Sequence, residues 1–212
     1  MRCYLLPVAV CFVLFFSCSN TVPDLLSSHS SVIFDYQDEE SPPLVRFAVF
    51  TEARSDVRRV SSIRIVSHVN NYEWTIDNVQ IISSNGRQWA GYVNFVCPSG
   101  ELIPVGEYTF FYTDAKGESA QSPFYIAYPV ALAHAKARDV QMILGPDATE
   151  SIAVYDSDGV LMYCDARKEN WKDSAIVWDE IKTASRIRTC FSIANNTVIC
   201  FMPVQERQSE EN

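Results

Sequence analysis

Residue types that can carry out acid–base or nucleophilic chemistry are sparse in this chain. His68 and His134 are the two histidines in segments with regular patterning. A Ser-His or Cys-His site holds its nucleophile on a constrained turn beside the histidine. The sequence has no Gly-x-Ser-x-Gly elbow and no glycine-rich phosphate loop. We therefore expect both histidines to be surface or partly buried residues, and we predict no catalytic residue.

The run Asp156-Ser157-Asp158-Gly159 carries the acidic residues with which a calcium loop can begin. An EF-hand loop needs glycine at its sixth position and glutamate at its twelfth. Here glycine is fourth and the twelfth residue is Arg167. The run therefore predicts a plain hairpin turn, and no metal site and no cofactor are predicted.

Four cysteines lie beyond the N-terminal region, and no two form a C-x-x-C pair: Cys97, Cys164, Cys190 and Cys200. Zinc binding and thioredoxin-type chemistry therefore lack support. A two-residue loop at Asn195-Asn196 would place residue 191 opposite Cys200, and a three-residue loop would set Cys190 diagonally to it. Neither register places Cys190 and Cys200 directly opposite each other. A Cys190–Cys200 disulfide, a disulfide of Cys164 with either of them, and buried free thiols all remain open.

The first residues have the pattern of a secretory signal peptide. Arg2 gives a positive start, and Leu5 to Phe16 is an unbroken apolar run. That run is shorter than the roughly 20 apolar residues of a membrane-spanning helix, and Pro7 weakens a spanning helix further. We predict a signal peptide over residues 1–17, directly before Cys18.

The stretch Leu14-Phe15-Phe16-Ser17-Cys18 resembles a bacterial lipobox, and its departures at Phe15 and Phe16 make it most similar to spirochaetal lipoproteins. This resemblance implies that Cys18 is acylated, for instance with palmitate, and anchors the protein to a membrane of the bacterial cell envelope. Several acyl chains would hold it firmly, since each buried CH2 contributes about 0.8 kcal/mol. The alternatives are ordinary secretion and a retained N-terminal anchor.

The charge of the chain bears on its partners. The formal net charge is −9, and no run of lysine and arginine interrupts it. Such a surface repels phosphate backbones, so nucleic acid is not expected as a partner. The expected partners are a membrane, reached through the lipid anchor, and another protein of the envelope.

Composition and periodicity divide the remaining chain. Residues 18–43 are rich in Ser, Asp, Glu and Pro, which predicts a tether, with an edge strand over Val32 to Tyr36 as the alternative. Residues 44–129 alternate apolar and polar positions, as in Tyr108, Phe110 and Tyr112. Short alternating strands separated by turn signals such as Ser84-Asn85-Gly86 predict a β-sandwich.

A Pro-x-Gly-x-Tyr step is followed by an Asp-x-x-Gly hairpin, carried by Pro104, Gly106, Tyr108, Asp114 and Gly117. This combination resembles immunoglobulin-like or fibronectin-III-like modules of bacterial surface proteins. The resemblance covers less than half of the chain and implies an architecture, not an activity.

Residues 130–205 predict a small α+β unit, so the expected class is mainly β, an immunoglobulin-like sandwich followed by that unit. A short helix is expected over Ala131 to Asp139, with strands at VQMIL, SIAVY and VLMYC. A second helix is expected from the spacing of Trp171, Ala175, Trp178 and Ile181, with Asn170 as N-cap. A last hairpin joins RIRTCFSI to TVICFMPV, and residues 206–212 form an acidic tail.

The candidate binding residues are aromatics that period two places opposite the main core face, Phe111 and Tyr125. Exposed on a sheet, they could form a surface for a partner or a glycan. The alternative, which we favour, is a second buried face covered by the C-terminal unit through Trp171 and Trp178.

These features together predict a membrane-anchored envelope lipoprotein that acts as a binding or scaffolding module without catalysis. One alternative is an envelope hydrolase acting on glycan or peptide, which a cleft holding His68 or His134 beside acids would favour. Another is a solute-binding lipoprotein, which a large apolar pocket between the two parts would favour.

Overall fold

The computed structural model describes residues 22–54, 56–98 and 101–208, and over these the protein is mainly β with a small helical part, as predicted. The strands are β1 Leu25–Asp35, β2 Leu44–Ala53, β3 Val60–Ser67, β4 Glu73–Ile76, β5 Gln80–Ser84, β6 Arg87–Phe95, β7 Gly106–Asp114, β8 Ser119–Ile126, β9 Thr149–Asp156, β10 Leu161–Ala166, β11 Ala184–Ile193, β12 Val198–Phe201 and β13 Gln205–Glu206. The helices are α1 Val140–Leu144 and α2 Ser174–Glu180, with 3-10 turns at Val57–Arg59, Val130–His134 and Ala137–Asp139. The predicted signal peptide and Cys18 lie outside the described residues.

The strands form two sheets. A nine-stranded sheet runs in the order β10-β9-β11-β12-β1-β2-β6-β5, with β13 also paired to β11, and a four-stranded sheet runs β4-β3-β7-β8. Neighbouring strands are antiparallel except β1 and β12, which are parallel. The order β1-β2-β6-β5 facing β3-β7-β8 is that of the two immunoglobulin sheets, with β4 added beside β3.

Period-two alternation in β7 produces the core between the sheets. Tyr108, Phe110 and Tyr112 are fully buried, while the residues between them are only partly covered. From the facing sheet, Phe47 packs against Tyr108 with ring centroids 5.9 Å apart and stacks on Phe95 at 4.9 Å. Large aromatic side chains therefore supply much of the apolar burial that holds the sheets together.

The residues that carry the immunoglobulin-like resemblance have identifiable structural roles. The Tyr108 hydroxyl donates a 2.6 Å hydrogen bond to the Pro104 carbonyl oxygen. This tie from the start of a strand to backbone just upstream is the arrangement of an immunoglobulin tyrosine corner. In the β7–β8 hairpin, the Asp114 carboxylate accepts hydrogen bonds from the backbone N–H groups of Lys116 and Glu118. Gly117 supplies the positive φ of that turn.

The prediction of a tether over residues 18–43 is wrong for residues 25–35, which form β1 in the interior of the nine-stranded sheet. The sandwich therefore begins before residue 44. The first half of β1 resembles a linker in composition because it is rich in serine, and one of these serines, Ser28, donates to the Thr51 hydroxyl of β2 at 3.2 Å. The second half is apolar, and Val32 and Phe34 are buried.

The C-terminal residues do not form a separate layer, because β12 pairs with β1 and continues the same sheet. The strand predicted at VQMIL is wrong: these residues form α1, whose Val140 and Leu144 are buried one turn apart. Helix α2 begins later than predicted. Asp173 is its N-cap and accepts from the Ile176 N–H at 3.1 Å, in place of Asn170.

Candidate ligand-binding cleft

A cleft of about 650 Å³ opens on the outer face of the nine-stranded sheet, the face turned away from the four-stranded sheet. We name it the outer cleft. Its floor carries three rings from three adjacent strands, His29 of β1, Phe50 of β2 and Trp89 of β6. His29 pairs with Phe50 across the strands, and the His29 and Trp89 rings meet edge to face with centroids 5.7 Å apart. The floor therefore carries aromatic surface from three adjacent strands.

Gly91 lets the Phe50 ring in the floor of the outer cleft lie close to the backbone of the sheet. It pairs with Phe50 across β2 and β6, and a Cβ at this position would lie 2.1 Å from the Val49 carbonyl oxygen and 2.5 Å from the Phe50 ring. Only a residue without a side chain permits this close approach. The Phe50 ring consequently lies over the backbone of β6 and stays half-buried.

Two hairpin tips form the rim of the outer cleft. The β5–β6 turn contributes Asn85, and the β11–β12 turn contributes Asn195 and Asn196. All three asparagines are exposed and have positive φ angles of 53°, 54° and 65°. Asparagine tolerates this left-handed conformation better than most residues. The turns therefore present amide groups, which both donate and accept hydrogen bonds, above an aromatic floor.

An ion pair lies at the edge of the outer cleft. Arg87 lines the cleft, and its Nη1 atom lies 3.3 Å from Oε2 of Glu52. Ser31 and Ser84 add hydroxyl groups to the lining. The cleft therefore offers aromatic surface, amides, hydroxyls and one ion pair, which is a lining suited to holding a ligand.

The predicted binding residues, Phe111 and Tyr125, lie on the outer face of the four-stranded sheet. Tyr125 is 59% exposed, whereas Phe111 is half-buried beneath the Arg64 guanidinium, 3.9 Å from its ring centroid. Tyr125 of β8 pairs with Glu107 of β7, and Phe111 of β7 pairs with Gln121 of β8. The two aromatic residues therefore share a face but lie four residues apart along the strands. The structure thus exposes one of the two and does not bring them into contact.

The favoured alternative, in which the C-terminal unit covers Phe111 and Tyr125, is wrong. Trp171 is fully buried in a separate small cluster on β9 and β11, and Trp178 packs against the same cluster. These tryptophans are used to attach α2 to its own end of the nine-stranded sheet. A binding surface at Phe111 and Tyr125 stays a prediction, and it is the alternative to a site in the outer cleft.

The structure locates the two histidines and the acidic turn that the sequence analysis considered as candidate sites. His68 is exposed, with Nε2 2.8 Å from the Thr109 hydroxyl oxygen, and His134 is exposed at the end of a 3-10 turn. Among the described residues, neither histidine takes part in an ion pair, and no group of three His, Cys, Asp or Glu side chains could hold a metal. Asp156 caps the β9–β10 turn by accepting from the Asp158 and Val160 N–H groups, as the turn prediction requires.

The four described cysteines are free thiols. Phe191 pairs with Cys200, which is the register predicted for a two-residue loop, and this keeps Cys190 on the opposite face of the hairpin. Burial raises the pKa of both the Cys190 and the Cys200 thiol to about 12. These two thiols are therefore protonated and unreactive at neutral pH, and Cys164 is exposed.

Sequence reasoning missed most of the outer cleft. Trp89 is recognisable as an aromatic residue on a strand, but the composition around His29 predicts a tether. The asparagines could be identified as turn residues and nothing more. No pattern in the sequence indicates the site, because serines lie on both faces of β1 around His29.

Comparison with protein-family models, curated proteins and solved structures gave no match to this chain. Within the described ranges, no helix is both long enough and apolar enough to cross a membrane.

Proposed function

We propose that this protein is a lipoprotein of a bacterial cell envelope, anchored to a membrane by acyl chains on Cys18, and that it is a non-enzymatic binding module whose ligand occupies the outer cleft. The single observation that supports the binding site best is the aromatic floor formed by His29, Phe50 and Trp89 beneath an asparagine rim. Ligand sites commonly combine apolar and aromatic surface with a few polar groups in this way.

The geometry of the outer cleft favours binding over reaction. The His29 ring contacts the Trp89 ring edge to face, so one side of the imidazole is used for packing. Arg87 is held by Glu52. The site therefore offers surfaces and hydrogen-bonding groups for recognition, and the rigid β-sandwich beneath it keeps them in place.

The anchor and the cleft call for separate tests. Growth of an expressing bacterium with radioactive palmitate should label the protein, and Cys18→Ala should remove the label. An unlabelled natural protein, or a label that survives Cys18→Ala, would contradict the anchor.

For the cleft, the purified full-length chain in detergent is mixed with the lipid-extracted envelope fraction of the same bacterium, and the retained share is measured. We expect Trp89→Ala to lower retention at least tenfold. Tyr125→Ala removes an exposed aromatic residue from the other outer face and should leave retention unchanged. Equal retention of the natural protein and Trp89→Ala, with unchanged melting temperatures, would overturn the assignment of the cleft.

A further inference from the structure

We infer that the ligand of the outer cleft is a neutral saccharide chain, an inference that rests on the proposed binding function of the cleft. A sugar ring has faces of C–H groups and an edge of hydroxyl groups. A site for it needs apolar flat surface below and groups that both donate and accept hydrogen bonds beside it. The outer cleft has both features, and they belong to different structural elements.

The floor matches the face of a sugar ring. Phe50 and Trp89 are half-buried, so part of each ring is open to solvent. The edge-to-face contact of His29 with Trp89 fixes the tryptophan side chain before a ligand arrives. Aromatic rings fixed in this way offer large apolar area at low entropic cost on binding.

The rim matches the hydroxyl edge of a sugar. The amides of Asn85, Asn195 and Asn196 carry both donors and acceptors, as do the hydroxyl groups of Ser31 and Ser84. A sugar hydroxyl likewise donates one hydrogen bond and accepts others, so it can pair with each of these groups. Two hairpin turns hold the three asparagines at positive φ angles, which limits the backbone ordering that binding requires.

The charges select a neutral ligand. The Glu52 carboxylate, 3.3 Å from the Arg87 guanidinium, offsets the one positive charge of the cleft lining, so the lining carries no excess positive charge to attract a phosphate or sulfate. The formal net charge of −9 repels anions further. The cleft volume of about 650 Å³ lies within the range of about 300–1,000 Å³ of small-molecule sites, so a short stretch of the chain can fill it.

A peptide is the competing ligand class, because β5 is an edge strand of the nine-stranded sheet and all five of its residues are exposed. A peptide added to β5 would bind through main-chain hydrogen bonds along that edge. It would not need the Trp89 ring or the asparagine amides of the β11–β12 turn. Variants at the floor and at that turn therefore distinguish the two classes.

The test is binding of the full-length chain in detergent to an array of neutral oligosaccharides of glucose, galactose, mannose, N-acetylglucosamine and N-acetylgalactosamine. Heparin and polyphosphate on the same array are the anionic comparison. We expect saturable binding to at least one neutral oligosaccharide and none to the anions. Trp89→Ala should weaken this binding at least tenfold.

Asn196→Gly is the matched variant, because glycine keeps the positive φ of the turn and removes only the amide. It should weaken binding about fivefold, which is the effect of losing one hydrogen bond. Its melting temperature should differ from that of the natural protein by no more than a neutral surface substitution would cause. Tyr125→Ala should bind as the natural protein does.

The outcomes separate the inference from the proposed function. If no neutral oligosaccharide binds, or if binding survives both Trp89→Ala and Asn196→Gly, the saccharide inference is overturned. If Trp89→Ala nevertheless lowers retention on the envelope fraction, the cleft remains the binding site and its ligand belongs to another class. If envelope retention is also independent of Trp89, the proposed binding function of the outer cleft fails together with the saccharide inference.

Discussion

The two sheets of the sandwich present very different outer faces. On the nine-stranded sheet, the outer face is indented at the outer cleft, where hairpin tips rise beside an aromatic floor. On the four-stranded sheet, the Asp114 hairpin joins β7 to β8, and the Arg64 guanidinium covers the Phe111 ring. Tyr125 stands 59% exposed and apart from it. One face offers a concave site, and the other offers separate side chains.

The difference shows that period-two alternation alone does not make a binding face. Both sheets direct aromatic residues outward, and both do so by the same alternation. The concavity depends on Gly91, which lets the Phe50 ring approach the backbone, and on turns that carry Asn85 and Asn195 to the rim. Shape at a sheet surface thus comes from a missing side chain and from loop tips.

The largest expected effect concerns the ion pairs on the two faces. Asp35, 13% exposed, accepts from Arg46 Nη1 at 2.8 Å and from Arg188, and so joins β1 to β2 and β11. Asp35→Asn should lower the free energy of unfolding by about 3 kcal/mol, because it removes the negative charge that both partly buried guanidinium groups face. The exposed Arg64–Glu73 pair is the control on the other face, and Glu73→Gln should cost less than about 0.5 kcal/mol in urea unfolding.

The Asp35 group also predicts a pH dependence. Burial alone would raise the pKa of this carboxyl, but the hydrogen bonds from Arg188 and Arg46 outweigh burial and hold it below its ordinary value of 3.8. The pair therefore stabilises the fold above that value, and the stabilisation is lost as the pH falls through the lowered pKa. The natural protein should lose stability more steeply below about pH 4 than Asp35→Asn does. Parallel acid profiles would contradict this role.

The second effect concerns the floor of the outer cleft. Gly91→Ala should lower the free energy of unfolding by about 2 kcal/mol, because the new Cβ meets the Val49 carbonyl oxygen and the Phe50 ring. Gly117→Ala is the control in the hairpin of the other sheet. No atom lies within 4 Å of its Cβ position, so only the positive φ costs free energy, about 1 kcal/mol. A smaller loss for Gly91→Ala than for Gly117→Ala in thermal melts would contradict the close approach.

The smallest effect concerns the rim and has the opposite sign. Ala194 precedes the two asparagines with a φ of 51°, a conformation that costs a residue with a Cβ about 1–2 kcal/mol. Ala194→Gly relieves this strain but adds freedom to the unfolded chain, so we expect a net gain of about 0.5 kcal/mol. Ala120→Gly, in strand β8 of the other sheet, should instead destabilise by about 0.5–1 kcal/mol. Calorimetric melting temperatures that change in the same direction would contradict the strain at Ala194.

The sequence predicts the strands and turns that residues close together in the chain determine. Alternation at Tyr108, Phe110 and Tyr112 indicates β7, and Asp156 and Gly159 indicate the β9–β10 turn. The alternative of an edge strand over Val32 to Tyr36 identifies part of β1 but places it wrongly at an edge. The interior position escapes such reasoning because the partner β12 lies more than 150 residues later in the chain, with Val32 paired to Val198. Strand β5 escapes because all five of its residues are exposed.

The outer cleft depends on that same distant pairing. The parallel ladder between β1 and β12 brings the Asn195-Asn196 turn beside Ser31, and the β1–β2 and β2–β6 ladders bring His29 near Trp89. No local pattern records these contacts, because each joins residues that are far apart in sequence. A residue such as His29 therefore has no functional signal until the sheet order is known.

Site-specific photocrosslinking in intact cells tests the central claim, that the ligand sits in the outer cleft, most directly. A benzophenone side chain is placed at Ser84 on the rim of the cleft or at Gln121 on the outer face of the four-stranded sheet, both exposed positions. After irradiation, we predict a covalent adduct of increased mass from position 84 and none from position 121. An adduct from position 121 alone would contradict the account and would move the binding surface to the face that carries Phe111 and Tyr125.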